Sequence, residues 1–170
     1  MKIPSWLNAG LVALALVEVS ACNTAPPDYA AQYRPLQDTF VAVWNGGKLD
    51  ALDAIVAPNY KRHGTGQATD DLVAFKKIVN DFRTAYPDLK VTIDDAYYVQ
   101  DRGFYLWTVT GTNTGAGPEA QPPTGKSVKV SGMSVVRYED GKIADEGLYY
   151  DQLDFNQQLG FTLTAPVETQ

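Results

Sequence analysis

From residue 29 onward the apolar positions change period, and the changes divide the chain into elements. Tyr33, Leu36, Phe40, Val43 and Trp44 recur at the three-and-four spacing of one helix face. Asn45-Gly46-Gly47 then supplies a stop, because glycine tolerates positive φ. This predicts a first amphipathic helix from Tyr29 to Trp44. Asp50 to Val56, followed by Ala57-Pro58, predicts a short second helix, with Asn59 to His63 leaving it as an extended piece. Leu72, Phe75, Ile78, Val79, Phe82 and Tyr86 form the strongest helical stripe, which Pro87-Asp88 terminates.

Past Pro87 the pattern alternates instead. Leu89, Val91 and Ile93 share one face of a strand, Tyr105, Trp107 and Val109 share one face of the next, and Asp101-Arg102-Gly103 marks the turn between them. Thr114 to Lys126 is too rich in glycine and proline for regular structure and predicts a long loop of the kind that covers sites. Val128, Val130, Val135, Val136 and Tyr138 mark another strand, Glu139-Asp140-Gly141-Lys142 a hairpin turn, and Ile143 to Tyr150 the antiparallel return. A last short helix is expected around Phe155 to Leu159. Helices first and a meander of long strands afterwards is the α+β pattern. A curved antiparallel sheet wrapped around the N-terminal helices would leave a conical cavity.

Composition adds an address. The chain has 170 residues, enough for one domain with a true core. Its first stretch is set apart: Lys2 precedes an apolar run from Leu7 to Val19, and Val19-Ser20-Ala21-Cys22 closes it in the order of a bacterial lipobox. Residues 1–21 are read as a signal peptide, Cys22 as the lipidated first mature residue, 22–28 as a proline-containing tether, 29–160 as the domain and 161–170 as a tail. An ordinary cleaved signal or an uncleaved anchor is the alternative. The expected location is the cell envelope, across the inner membrane, with the lipid on Cys22 as the membrane contact. Cys22 is the only cysteine, so no internal disulfide is available. The formal charge of −6, with no Lys/Arg cluster, argues against nucleic acid as a partner.

Several chemistries fall away on pattern. Ser131 and Ser134 lack a Gly-x-Ser-x-Gly elbow. Gly125-Lys126-Ser127 lacks the earlier glycine of a phosphate loop and precedes a strand. Asp94-Asp95 and Asp145-Glu146 are strand neighbours that point to opposite faces, so neither pair is read as a metal site and at least one member of each is expected on the solvated surface. Asp151 lies two residues beyond Tyr149 and four beyond Gly147, so the three share one face if the strand runs that far. The competing reading of Asp151 is an N-cap for the last helix. His63, the only histidine, stands at the edge of an element. Trp107 and Tyr60 are core residues on composition alone.

A family likeness is carried by Asn45-x-x-x-Leu49-Asp50, Ala57-Pro58-Asn59-Tyr60-x-x-His63, Phe82-Arg83-x-x-Tyr86-Pro87-Asp88, Trp107-x-x-x-Gly111, Pro122 to Lys126, Tyr138 to Ile143, Asp151-Gln152-Leu153 and Gln157 to Gly160. In that order they resemble the SnoaL-like polyketide cyclases, also called predicted ester cyclases. The resemblance implies the NTF2-like cone and intramolecular aldol-type ring closure, a lyase or isomerase chemistry on a hydrophobic carbonyl compound. It implies Asp151 as acid/base with His63 assisting, and neither metal nor organic cofactor. Tyr60, Phe82, Trp107, Met133, Gly147 and Tyr149 are the expected substrate contacts. Relatives with demonstrated cyclisation are similar except for a second histidine, which this chain lacks, and many carry a Trp where Gly147 stands. The alternative function is a lipoprotein that holds an apolar ligand in the same cavity without converting it. A third, less favoured alternative is a structural partner domain that forms a homodimer through the outer sheet face.

Overall fold

The computed structural model describes residues 27–117 and 121–164. The expected signal peptide, Cys22 and most of the tether and tail lie outside the described residues. Among the described residues no helix is long and apolar enough to cross a membrane.

Helix α1 (Tyr29–Gly46) begins at Asp28, whose carboxylate accepts the Ala31 N–H, and ends where Gly47, at φ 73°, donates to the Val43 carbonyl. A 3₁₀ turn (Leu49–Ala51) and a single helical turn, α2 (Leu52–Ile55), follow. The second helix was expected to reach Val56, but the chain is already extended there and Pro58 lies inside strand β1 (Val56–Gly64). β1 is an edge strand, where a missing N–H costs little. Helix α3 (Leu72–Ala85) is capped by Asp71 and turns Leu72, Phe75, Ile78 and Val79 into the core.

The sheet runs β1-β5-β4-β3-β2, with β2 (Lys90–Val99), β3 (Arg102–Thr112), β4 (Ser127–Glu139) and β5 (Lys142–Tyr150). The last four are antiparallel neighbours, but β1 pairs with β5 in parallel, so the sheet is mixed rather than wholly antiparallel. The extended piece around Tyr60, read from sequence only as a lead-out from a helix, is the fifth strand. Helices α1 and α3 fill the inner face, and one continuous core joins Tyr33, Leu52, Tyr60, Phe75, Trp107 and Val136. Helix α4 (Gln152–Gln158) continues alongside β4 past the end of β5. There the Gln158 carboxamide bonds both the N–H and the carbonyl of Lys129, standing in for a strand on that open edge.

One irregularity decides which side chains face inward. Ile143 pairs with Tyr138, but the next pair is Asp145 with Arg137, so Ala144 is an extra residue in β5. Such a bulge shifts the two-residue phase of a strand. Ile143 faces the core, and beyond the bulge Glu146, Leu148 and Tyr150 face it too, while Asp145, Gly147 and Tyr149 turn to the outer surface.

Candidate active site

Between the helices and the inner sheet face lies a cavity of about 120 Å³, lined by Phe40, Trp44, Val91, Ile93, Val109, Val130 and Leu148 among other apolar side chains. It shares Phe82, Tyr150 and Phe155 with a wider mouth of about 700 Å³, which α3 and α4 line together with Asn113, Gly117, Gln121 and Thr124. Among the described residues Glu146 is the one carboxylate lining the inner cavity, and it is 5% exposed.

Strands β1, β4 and β3 supply the network around Glu146, which is itself on β5. Arg62 on β1 stands directly across the parallel ladder from it, and its Nε donates to Glu146 Oε2 at 3.1 Å. Tyr60, two residues earlier on the same face, donates its hydroxyl to the same oxygen at 2.7 Å. Ser134 on β4 donates to Oε1 at 2.8 Å and accepts the Trp107 indole N–H from β3 at 3.1 Å. Gly132, opposite Trp107, makes room for that ring: a Cβ there would lie 2.5 Å from the indole. The network is therefore satisfied by geometry set in the ladder, as burial of so many polar groups demands.

Arg62 is held from the helix side as well. Its guanidinium lies over the rings of Trp44 and Phe75, 5.7 and 5.9 Å from their centroids. Its main chain forms an isolated bridge to Thr69. Nη1 reaches the Gln67 carbonyl at 3.5 Å, and Nη2 has no partner among the described residues. Burial, then the neighbouring Glu146 charge, holds the Tyr60 phenol well above its usual range. Burial also raises the Tyr150 phenol, which lines the cavity on the mouth side. Both hydroxyls stay protonated at neutral pH and act as donors.

The oxygens of Glu146 are not equivalent. Oε2 accepts two hydrogen bonds and has none left to accept, whereas Oε1 accepts only the Ser134 hydroxyl. A carboxylate oxygen with an open lone pair, beside unpaired donors and apolar walls, can take a proton from carbon.

The residues expected from sequence divide between the two faces of the sheet. Trp107 and Phe82 line the cavity, and Tyr60 lies behind Glu146 as a member of its network. Asp151 does not face the cavity: it is exposed and accepts the Asp154 N–H at 2.9 Å as N-cap of α4. His63, with a side chain 53% exposed, is on the outer face, where its Nε2 lies 3.1 Å from Asp145 Oδ1. Gly147 sits beside it, with Tyr149 and Met133 exposed on the same face, so none of the three lines the cavity. For Gly147 and Tyr149 the bulge at Ala144 is the physical reason, since the extra residue turns 145, 147 and 149 outward and 146, 148 and 150 inward. Asp151 lies past the end of β5 in the cap of α4, and His63 and Met133 turn outward on β1 and β4. Glu146 was passed over as one of two adjacent carboxylates. The available signal was the company it keeps: Glu146-x-Leu148-x-Tyr150 is the more apolar face, matched by Tyr60-x-Arg62.

Comparison with known proteins follows the same architecture. The SnoaL-like polyketide cyclase profile matches residues 34–159. TsrD from Streptomyces laurentii superposes with a TM-score of 0.69 at 23% identity, over 76% of this chain and 96% of that one. A candidate polyketide cyclase from Acidithiobacillus ferrooxidans gives 0.62 at 26% identity, over 75% and 94%. An LEH-like epoxide hydrolase from M. tuberculosis gives 0.61 at 16% identity, over 78% and 92%. No curated protein matches the sequence.

Proposed function

The chain belongs to the SnoaL-like polyketide cyclase family, and from that premise we propose that it is an acid/base catalyst of the cyclase or isomerase type with Glu146 as its base. The observation that carries the reading is Glu146 itself: one buried carboxylate on the cavity wall, oriented by Tyr60, Arg62 and Ser134. Oε1 removes a proton from carbon adjacent to a carbonyl. The electron pair moves onto the carbonyl oxygen, where Arg62 Nη2 and the Tyr150 hydroxyl are the donors available to an oxyanion. In a ring closure the enolate carbon attacks a second carbonyl, and the proton held on Oε1 passes to the new alkoxide. Ser134, fixed by the Trp107 N–H, keeps the carboxylate at one angle throughout.

The cavity bounds the substrate. At about 120 Å³ the inner chamber is smaller than the roughly 150 Å³ apolar cavity that admits benzene, so it takes at most one small ring, and the mouth holds whatever is attached to it. Cyclohexanone in deuterium oxide is a suitable first probe. Exchange at its α-carbons, followed by proton NMR, should be faster with wild-type protein than with Glu146→Gln, and equal rates in the two would remove Glu146 from the chemistry.

A second reading has its own support. Three hydrogen bonds hold the one carboxylate in place, which suits a fixed ligand-binding wall as well as a base. In that case the wild-type protein binds small cyclic ketones, seen as a change in Trp fluorescence, without accelerating exchange. For the address we propose acylation at Cys22, and intact-mass measurement of membrane-extracted protein tests it. A mass without added lipid rejects it.

A further inference from the structure

We propose that Gln37 is a substrate-recognition residue: its carboxamide N–H donates to a second oxygen of the ligand, so the substrate is an uncharged cyclic ketone that carries another acceptor across the ring from its reacting carbonyl. The proposal rests on the inner cavity being the ligand site argued for above. On α1, Gln37 shares one helix face with Tyr33, Phe40, Val41 and Trp44, and all but Tyr33 line the chamber. Gln37 is 3% exposed. An amide buried on an apolar stripe costs free energy unless its hydrogen bonds are made, and here only its oxygen is satisfied. Oε1 accepts the Tyr98 hydroxyl, whereas Nε2 has no partner among the described residues. Among those residues no sealed side-chain nitrogen or oxygen lacks a partner. The unpaired amide therefore borders open space, and the space that Gln37 lines is the chamber.

Its place in the fold fixes which part of a ligand it meets. Tyr98 pairs with Gly103 beside the β2–β3 turn, whereas Asn113, just past the far end of β3, lines the mouth. Gln37 is therefore at the closed end of the chamber, and it reaches in from the helices while Glu146 reaches in from the sheet. The phenols around it are engaged already: Tyr98 packs edge-on to Tyr105, with 5.9 Å between ring centroids, and the Tyr105 and Tyr138 hydroxyls bond each other. Tyr150, which lines chamber and mouth alike, serves with Arg62 the carbonyl nearer the mouth. A ring held by those donors turns its opposite edge toward Gln37. There Nε2 offers a neutral donor, which suits a ketone, ether or ester oxygen. A hydrocarbon edge would leave the amide dry and unpaired. A charged edge fits no better, because Arg62 and Glu146 are the ionised residues lining the chamber among those described, and they pair with each other.

Cyclohexane-1,4-dione and 4-methylidenecyclohexanone provide the test, because they share a shape and a ring carbonyl and differ in whether the far group accepts a hydrogen bond. Isothermal titration of the full chain should give a dissociation constant about tenfold or more lower for the dione. In nitrogen-edited NMR the Gln37 side-chain amide protons should move with the dione and stay in place with the methylidene compound. Gln37→Met keeps the side-chain length and should reverse the preference, with circular dichroism reporting that the fold is retained. The two wild-type measurements decide the matter even if that variant does not fold. Equal affinities for the two compounds, no binding of the dione, an amide signal that ignores it, or a preference that survives Gln37→Met would each overturn the proposal. Glu146 is judged separately. Deuterium exchange that does not respond to Glu146→Gln, beside an intact preference for the dione, would remove the base and leave the role of Gln37 standing.

Discussion

Removing Glu146 alone should damage the fold far more than removing it together with Arg62. Both side chains are nearly inaccessible, at 5% and 7% exposure. Glu146→Leu leaves a guanidinium whose remaining protein acceptor among the described residues is the Gln67 carbonyl at 3.5 Å. It also takes the acceptor from the Tyr60 hydroxyl, which is fully buried. Breaking one partner out of a buried ion pair costs about 3–5 kcal/mol, and the stranded Tyr60 donor adds about 1–3 kcal/mol. Arg62→Met keeps an apolar stem against Trp44 and Phe75 and leaves Glu146 with two donors, so its cost is smaller, about 2–3 kcal/mol. In the double variant no charge remains unpaired, and the loss should fall about 3 kcal/mol short of the sum of the singles. Urea unfolding followed by circular dichroism at neutral pH measures all four corners of the cycle. Additivity within about 0.5 kcal/mol would show that the two groups do not hold each other, and the site as described would be wrong.

Three further outcomes follow from individual contacts. Asp151→Ala should cost about 1 kcal/mol by uncapping α4 and leave ketone exchange at the wild-type rate. A substantial loss of exchange would return Asp151 to the chemistry. Gly132→Ala should push the indole of Trp107 off Ser134, costing about 1–3 kcal/mol by overpacking and shifting the Trp emission, whereas an unchanged spectrum would mean the ring is not seated as described. Stability should fall at alkaline pH. Burial raises Tyr60 and Tyr138 well above the usual phenol range and Tyr86 to about 12. The unfolded chain therefore releases these protons first, near pH ~10, and the native state loses ground from there upward. Urea midpoints from neutrality to beyond pH ~11 test this, and Tyr60→Phe should flatten the decline.

Much of the scaffold was legible because it follows from period and punctuation. The stripe from Leu72 to Tyr86, the glycines after α1, and the Asp140-Gly141 turn each act locally, and each element lies where these signals put it. The parallel pairing of β1 with β5 was not legible, since nothing in Asn59 to His63 states which edge it joins. The inward face of β5 was not legible either, because an inserted residue at Ala144 changes the two-residue phase of the strand and turns Glu146 inward rather than its neighbours. Gly147 and Tyr149 share the outer face, but β5 ends at Tyr150, so Asp151 belongs to the cap of α4 and not to that strand. A motif carries residue identity and not the face of the strand beneath it, so the resemblance did not state that His63 on β1 and Met133 on β4 turn outward. Trp107 and Phe82 line the cavity, as the apolar periods of β3 and α3 allow.

The most direct test is α-carbon exchange of cyclohexanone in deuterium oxide with three proteins side by side: wild type, Glu146→Gln and Asp151→Asn. Glu146→Gln should reduce exchange to the buffer rate while fluorescence still reports ketone binding, and Asp151→Asn should match wild type. Loss of exchange in Asp151→Asn with Glu146→Gln unaffected would contradict the account, because it would move the reacting carboxylate from the cavity wall to the cap of α4.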